Sequence, residues 1–398
     1  MNLPIQRSRE LLSESNEILI RGCQGHKRNH EMLDLGYPVF TERADGAHFW
    51  DADGNRYLDY LMGFGPILLG YNDPAVNEAI RAQMTRGTIY STAHELEVST
   101  ARRILELHPW AGMVGYFLGG SATTTGAIRI ARAYSGRSKI LRCGYHGWHD
   151  WTQSGGAGVP AEVGALTLEF PYGDLEALEM TLSSSQDDIA CVIVETVQGT
   201  GPPEGFLQGC IDLAHKYGAL CIFDEIKTGF RVALGGATEL YDLTPDLATF
   251  GKACCNGFPG GFVVGSAEFL QNQACQETWL AATFHCDLLS LTVLNVVLDE
   301  MNRRDGIRYQ ARIGARLSEG INAACEAGGL SYRLRGLSAM PTPSVGDDES
   351  RCITMLRGAL RRGFYLHPGH PMFLSLAHTE QDIDDTIAAV EESIEELE

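Results

Sequence analysis

Two residues in the middle of the chain have the types that an aldehyde cofactor with a pyridine ring requires. Lys252 follows residues 245–251, and a lysine amine can hold an aldehyde as a Schiff base. Asp224 follows the apolar residues 219–223, and a carboxylate at the end of a core strand can keep a pyridine nitrogen protonated. The pair predicts a site for pyridoxal 5'-phosphate (PLP), with Lys252 and Asp224 as its catalytic residues.

A phosphate site is predicted at Gly119-Gly120-Ser121, which opens a predicted helix over residues 122–134. Glycines allow close backbone approach, Ser121 is a good N-cap, and a helix N-terminus attracts anions. Alone, this turn is also an ordinary helix start. Beside Lys252 and Asp224, phosphate binding by Gly120 and Ser121 is the favoured interpretation.

An aromatic residue and a histidine follow the predicted strand 139–143 as Tyr145-His146-Gly147. The Tyr145 ring could stack on a pyridine face, and His146 could contact cofactor or substrate. A loop histidine beside a core tyrosine is the open alternative. Cys143, His146 and His149 have metal-like spacing but no fourth ligand, so no metal site is predicted.

Alternating strands and helices must position these residues. Parallel pairing with helical crossovers is expected, because strand–helix–strand order produces it. Ligands of such sheets gather at the carboxyl ends of strands, where Glu195 and Asp224 fall. The predicted strands are 139–143, 189–195, 219–224 and 262–266, and the predicted helices are 122–134 and 206–217.

The two ends of the chain have a different pattern. An amphipathic helix is expected over residues 8–21, then strands on either side of the Asp45-Gly46 turn and at 56–60. From residue 288 the pattern predicts a helix, short strands and a terminal helix over 380–397. The chain is therefore predicted to be α/β. A large domain (51–287) holds the mainly parallel, helix-covered sheet, and residues 1–50 with 288–398 form a smaller α+β domain.

Composition narrows the function classes. The net charge of −20 argues against general binding of nucleic acid or anionic membranes. The favoured interpretation of this acidic charge is that it keeps the protein soluble. The alternative is that it attracts a cationic substrate. No signal peptide or membrane span is predicted. Eleven cysteines, several in apolar strands, indicate buried free thiols and a reducing cytoplasm.

Several long motifs resemble the class III aminotransferases of PLP fold type I, in the branch that contains glutamate-1-semialdehyde aminomutase. The resemblance runs from about residue 35 to 300, in the family's order and spacing, and includes part of the C-terminal region. The matching stretches are 49–60, 127–137, 145–150, 223–231, 245–252, 256–259 and 373–380.

The resemblance implies a role for each site residue. It implies that Lys252 binds the cofactor aldehyde and moves a proton, and that Asp224 holds the pyridinium. Tyr145 and Ile226 would lie on opposite faces of the ring. Thr283 matches a threonine that reaches the cofactor phosphate of the neighbouring subunit, which implies a homodimer.

Three departures from the family pattern indicate an altered substrate or reaction. Ala122 stands where a glutamate is expected, and Lys227 stands where Met, Gln or Val is common. His285-Cys286-Asp287 stands where small residues often follow Thr283-Phe284. Separately, Arg28 matches only roughly the arginine that binds the substrate carboxylate in the aminomutase branch, and a solvated loop charge is its favoured interpretation.

The predicted function is a PLP-dependent aminotransferase. It would move an amino group between an amine donor and an aldehyde or ketone, including sugar-derived or secondary-metabolite carbonyls. An aminomutase or epimerase on the same scaffold is the alternative, because it uses the same residues. A degenerate, non-catalytic PLP-fold subunit is a third.

Overall fold

The computed structural model describes residues 4–22, 29–185 and 188–397. Arg28, to which the sequence assigned a rough match with a carboxylate-binding arginine, lies outside the described residues. In the described part, no helix is long and apolar enough to cross a membrane.

The strands and helices are named here in chain order. The strands are β1 Thr41–Asp45, β2 His48–Asp51, β3 Arg56–Asp59, β4 Met113–Phe117, β5 Lys139–Cys143, β6 Thr167–Glu169, β7 Ile189–Glu195, β8 Leu220–Asp224, β9 Leu247–Phe250, β10 Gly261–Gly265, β11 Arg333–Arg335, β12 Thr342–Ser344 and β13 Phe364–Tyr365. The helices are α1 Gln6–Ile18, α2 Asn29–Asp34, α3 Pro74–Met84, α4 Glu95–Leu107, α5 Gly120–Ser135, α6 Ala161–Gly164, α7 Leu175–Ser184, α8 Phe206–Lys216, α9 Ala237–Leu240, α10 Ala267–Leu270, α11 Gln273–Gln276, α12 Leu288–Arg303, α13 Gly306–Ala327, α14 Glu349–Arg361 and α15 Glu380–Glu395.

The chain divides into two compact units. One contains residues 1–74 and 308–398, and the other contains residues 75–307. The sequence placed the boundaries at residues 50 and 287. The first unit extends past residue 50 because β3 pairs with β2 and, in parallel, with β13 near the other end of the chain.

The central unit is built on a seven-stranded sheet of order β4-β10-β9-β8-β7-β5-β6. The strands β6, β5, β7, β8 and β9 run parallel to one another. The mainly parallel sheet predicted from the sequence is confirmed. Parallel pairing of the predicted strand 262–266 was wrong, because β10 runs antiparallel to both β9 and β4. Residues 251–260, with one helical turn at Lys252–Cys255, connect β9 to β10, and a helical crossover needs more chain.

Helix α5 covers one face of this sheet. Its apolar side buries Ala127, Ile128 and Ile130, which join Ile193 and Ile222 of the sheet in one core cluster. Burial of each large aliphatic side chain contributes about 1.5–3 kcal/mol. A Cβ on Gly126 would lie 2.2 Å from the Phe117 ring, so a glycine is required for α5 to approach β4 this closely.

The terminal unit has a four-stranded sheet of order β1-β2-β3-β13 and a two-stranded sheet of β11 and β12. Its terminal helix α15 begins at a capping box, in which Thr379 and Asp382 satisfy each other's backbone N–H groups. The predicted helix 380–397 therefore starts where expected and ends at Glu395. Of the ten described cysteines, all free, nine are buried and Cys286 is exposed.

Candidate functional site

The site lies at the carboxyl edge of the central sheet, where β5, β7, β8 and β9 end. Glu195 ends β7 and pairs in register with Asp224, which ends β8. Asp224 in turn pairs with Thr249 of β9, and Lys252 comes two residues after β9 ends. Parallel strands thus bring together three residues that the sequence singled out.

The start of α5 lies at the same edge. Because β10 is antiparallel to both β4 and β9, those two strands run in the same direction. A Cβ on Gly120 would lie 3.2 Å from the Ile226 side chain, and a Cβ on Gly251 would lie 3.0 Å from it. The first residue of α5, Ile226 and the residue before Lys252 therefore pack together without intervening side chains.

The loop after β5 docks on the first turn of α5. Gly147 has a φ of 116°, and a Cβ there would lie 2.4 Å from Ser121 Oγ. The backbone N–H of Trp148 donates to Ser121 Oγ at 3.3 Å, and Thr124 Oγ1 donates to the carbonyl of His146 at 2.8 Å. These contacts hold Tyr145 and His146 beside the predicted phosphate site.

Several donors hold the Asp224 side chain in place. His146 Nδ1 lies 2.6 Å from Asp224 Oδ2, with the two side chains 0% and 3% exposed. The backbone N–H of Ile226 donates to Oδ1 at 3.0 Å, and Thr249 Oγ1 does so at 3.4 Å. The carboxylate is fixed in position by these donors, and His146 donates through Nδ1 because a carboxylate only accepts.

His146 has a second ring nitrogen that the structure leaves unpaired. Nε2 is buried and has no hydrogen-bond partner among the described residues. The imidazole stacks near Trp151, with ring centroids 6.0 Å apart and planes at 17°. The sequence assigned His146 to contact with cofactor or substrate, and its described polar partner is Asp224.

Lys252 sits in a strained and buried position. It has a φ of 45°, in the left-handed region that side chains other than glycine rarely adopt and that is common at functional sites. Burial lowers the pKa of the Lys252 amine, the positive charge of Lys227 lowers this pKa further, and Glu195 and Asp224 oppose the shift. More of the amine is therefore in its neutral, nucleophilic form than for an ordinary lysine.

An ion pair that sequence reasoning did not find lies beside Lys252. Lys227 Nζ is 2.5 Å from Glu195 Oε1, with the side chains 16% and 15% exposed. A Cβ on Gly144 would lie 2.9 Å from Glu195 Oε2. The unusual lysine at position 227 was noted in the sequence, but its partner could be found only from the register of β7 and β8.

A second buried carboxyl group, Glu225, supports the segment after β8. It accepts hydrogen bonds from the backbone N–H groups of Ala237 and Thr238 at 2.8 Å, and from the Thr228 hydroxyl. Burial raises the pKa of Glu225 to about 7. These bonds fold residues 225–238 back on β8 and fix the backbone that carries Ile226 and Lys227.

Two other predicted residues are less enclosed. The Tyr145 side chain is half exposed at the mouth of the site. Thr283 lies in an exposed turn between α11 and α12, and within the described residues it makes none of the contacts that join the other site residues. In the described ranges, no group of three or more His, Cys, Asp or Glu residues could hold a metal ion.

The residues present suit PLP. A fixed buried carboxylate can pair with a protonated pyridine nitrogen, and a lysine amine with a lowered pKa can bind an aldehyde. The space that a Cβ on Gly120 would fill adjoins Ile226 at the N-terminus of α5, where an anion is favoured.

Known proteins resemble this chain in sequence along most of its length. The family model "Aminotransferase class-III" matches residues 32–396. The chain is 36% identical to glutamate-1-semialdehyde 2,1-aminomutase of Heliobacterium modesticaldum, over 99% of this chain and 98% of that protein. It is 32% identical to 3-aminobutyryl-CoA aminotransferase of Cloacimonas acidaminovorans, again over 99% and 98%.

Solved structures agree with this relationship. The FumI protein of Sphingopyxis sp. MTA144, in its PLP internal aldimine form, has a TM-score of 0.92 and 28% identity, over 98% of this chain and 96% of that one. An omega-transaminase from Sphaerobacter thermophilus, 22% identical over 98% of both chains, has the same fold with a TM-score of 0.89. The fold is PLP fold type I, the cofactor is PLP and the protein is an enzyme. This chain belongs to the class III aminotransferase family.

Proposed function

We propose that the enzyme is an aminotransferase that takes an amino group from an amine donor and delivers it to an aldehyde or ketone. One observation carries the proposal: a buried Asp224, fixed by His146, lies at the same sheet edge as Lys252, an amine of lowered pKa. The departures at Ala122, Lys227 and residues 285–287 favour a substrate other than glutamate-1-semialdehyde.

Each site residue has a proposed role in this reaction. PLP, when bound, withdraws electrons from the substrate carbon that bears the amine, which makes its hydrogen acidic. Asp224 keeps the pyridine nitrogen protonated, and His146 holds Asp224 in place. Lys252 Nζ binds the cofactor aldehyde and carries the proton, and a tethered base of this kind contributes about 10²–10⁴-fold.

The other proposed contacts hold the cofactor in place. Gly120 and Ser121 bind its phosphate at the start of α5. Tyr145 covers one face of the ring and Ile226 the other, since Ile226 packs against Gly120 and Gly251. Glu195 is the last of the proposed cofactor-binding residues. Its ion pair with Lys227 lies beside Lys252.

A half-reaction tests the aminotransferase proposal. The PLP-loaded enzyme is mixed with single amines (glutamate, alanine and amino sugars) without an acceptor, and its visible spectrum is followed. Conversion of the cofactor to pyridoxamine phosphate, with one equivalent of carbonyl product released, supports the proposal and identifies the donor. An unchanged spectrum with solvent deuterium entering the amine would contradict it and favour an epimerase.

An aminomutase is the second candidate, favoured by the 36% identity to glutamate-1-semialdehyde 2,1-aminomutase of Heliobacterium modesticaldum. An aminomutase rearranges a single substrate, whereas an aminotransferase needs a separate donor. Incubation of ¹⁵N-labelled substrate with an unlabelled donor separates the two. Product that keeps all of the ¹⁵N of its own substrate would establish the aminomutase.

We also propose that the enzyme is a cytoplasmic homodimer in which Thr283 reaches the neighbouring subunit's cofactor phosphate. The exposure of the turn that carries Thr283, and of Phe284 next to it, supports this role. The ten free thiols favour a reducing compartment. Light scattering should give twice the chain mass, and Thr283→Ala should weaken PLP affinity. A monomer that binds PLP normally would contradict the shared site.

A further inference from the structure

The Lys227–Glu195 ion pair lies among the residues assigned to the reaction. Glu195 pairs in register with Asp224, and Lys227 follows Asp224 by three residues. The charges of Lys227 and Glu195 both act on the Lys252 amine, in opposite directions. The pair is therefore within electrostatic reach of the group proposed to bind and deprotonate the substrate.

Lys227 has hydrogen-bonding capacity that the protein does not use. An ammonium group has three N–H donors, and in the described part of the chain Glu195 is its hydrogen-bond acceptor. The side chain is 16% exposed, so solutes can reach it. Close packing of Glu195 against Gly144 holds the carboxylate in place, which leaves the remaining donors of Lys227 able to bind another anion.

A second cation near Lys252 cannot take this role. Arg231 also lowers the pKa of Lys252, but its side chain is completely buried. Contact between Arg231 and a substrate would require the surrounding core to open. Of the two cations that act on Lys252, Lys227 is the one that an incoming molecule can touch.

We propose that Lys227 is a specificity-determining residue whose ammonium binds the carboxylate of the amine donor, so that the enzyme takes amino acids in preference to amines that lack a carboxylate. This inference rests on the proposed aminotransferase function. In the free enzyme, Glu195 orients Lys227 and balances its charge. When the donor binds, its carboxylate occupies the unused N–H donors while Glu195 stays in place.

The expected size of the effect follows from the type of bond. Hydrogen bonds between charged groups that are partly withdrawn from water are stronger than neutral ones, and loss of one weakens binding by about 10- to 100-fold. Lys227→Arg keeps the charge and should retain most of the preference. Lys227→Met removes the charge and keeps a side chain of similar length.

A pair of donors gives the first measurement. L-Alanine and 2-aminopropane have the same reacting carbon, with a carboxylate in one and a methyl group in the other. The ratio of kcat/KM for L-alanine to that for 2-aminopropane should fall about 10- to 100-fold in Lys227→Met and by less than about threefold in Lys227→Arg. An unchanged ratio in Lys227→Met would overturn the proposal.

Binding of an unreactive anion gives the second measurement and does not depend on turnover. Propionate, titrated calorimetrically into the PLP-loaded enzyme, should bind more tightly than neutral propionamide, and Lys227→Met should weaken propionate binding about 10- to 100-fold. Lys227→Met leaves Glu195 without its cation, which can destabilise a partly buried site. The double variant Lys227→Met/Glu195→Gln removes both charges and should also fail to bind propionate.

The two measurements separate this proposal from the proposed function. If no amine reacts with the wild-type enzyme, the aminotransferase assignment fails, and the propionate titration still decides the role of Lys227. If propionate binds the wild type and both Lys227→Met variants equally, or does not saturate the wild type, Lys227 serves only as the structural partner of Glu195.

Discussion

Each unit has a buried cluster that contains a histidine and an aspartate. The two clusters have similar residues but different hydrogen-bond partners. In the central unit, His146 contacts the Asp224 carboxylate and keeps a buried nitrogen unpaired. In the terminal unit, both ring nitrogens of His378 are used: Nδ1 lies within hydrogen-bonding distance of the Ser375 hydroxyl and backbone N–H, and Nε2 lies 3.1 Å from the Asp59 carbonyl.

The carboxyl groups of Asp59 and Asp224 also differ in their surroundings. Asp59 accepts from the Tyr71 hydroxyl and the Leu61 N–H, both at 2.7 Å, and burial raises its pKa. Asp224 instead lies at the sheet edge that carries Lys252, and its negative charge acts on that lysine. A cluster whose polar groups are satisfied stabilises its fold, whereas a cluster with unused hydrogen-bonding capacity is suited to a ligand.

The largest expected effect is the loss of turnover on replacing Lys252, compared with replacing a surface lysine that has no proposed chemical role. Lys252→Ala should reduce turnover by at least about 10²–10⁴-fold, because the proton carrier is lost. The thermal midpoint should remain near that of the wild type, since an amine whose burial is unfavourable is removed. Lys216→Ala, at a surface ion pair with Glu179, is the matched control and should change neither quantity. Near-normal turnover of Lys252→Ala without added amine would refute the assignment.

The next effect compares the two aspartates. Asp224→Asn should lower kcat/KM by about 10²–10³-fold, because the neutral amide cannot stabilise a protonated pyridine. Asp59→Asn should leave the kinetics near wild type and lower the free energy of unfolding by about 1–3 kcal/mol, because the amide nitrogen cannot accept a hydrogen bond that a carboxyl oxygen accepts. Steady-state kinetics and denaturant unfolding of both variants measure the contrast. If both substitutions changed kcat/KM and the free energy of unfolding in the same way, the distinction between Asp224 and Asp59 would be wrong.

A smaller effect compares the histidines. His146→Asn should reduce kcat/KM by about 10-fold and change the pH dependence of the cofactor absorbance, because Asp224 loses its charge-assisted partner. His378→Asn should act on stability instead, by about 1–3 kcal/mol. A fall in stability without a change in the spectral titration of His146→Asn would make His146 a structural residue like His378.

The smallest effect is a difference in pH midpoint between two lysines. Burial lowers the pKa of Lys252, whereas the hydrogen bond and negative charge of Glu179 raise the pKa of Lys216. In the apoprotein, acetylation of Lys252 should therefore reach half its maximal rate at a lower pH than acetylation of Lys216. Peptide mass spectrometry across a pH series gives both midpoints, and the reverse order would contradict the account of the Lys252 environment.

The sequence predicts best the strands that a local pattern of residues marks. β5 and β7 begin and end at the predicted residues: β7 is apolar up to Glu195, and β5 has Ile140, Leu141 and Cys143 directly before Gly144. β4 and β9 were missed, although residues 113–117 and 247–250 are mostly apolar. The direction of β10 was wrong because every strand of the sheet was expected to follow a helical crossover.

Contacts between residues that are distant in the sequence could not be predicted from local sequence patterns. Lys227 pairs with Glu195, and His146 with Asp224, only because the strand register brings their elements together. Residue type alone marked Lys227 as unusual. The partners that give Lys227 and His146 their roles depend on the tertiary structure.

The account depends most on the identity of the lysine that holds PLP, because Lys227 lies close enough to Lys252 to be a rival. Reduction of the PLP-loaded enzyme with borohydride, followed by digestion and mass spectrometry, fixes the cofactor to the amine that binds it. The account predicts phosphopyridoxyl modification of Lys252, and no such modification in Lys252→Ala. Modification of Lys227 in the wild-type enzyme, or of neither lysine, would contradict it.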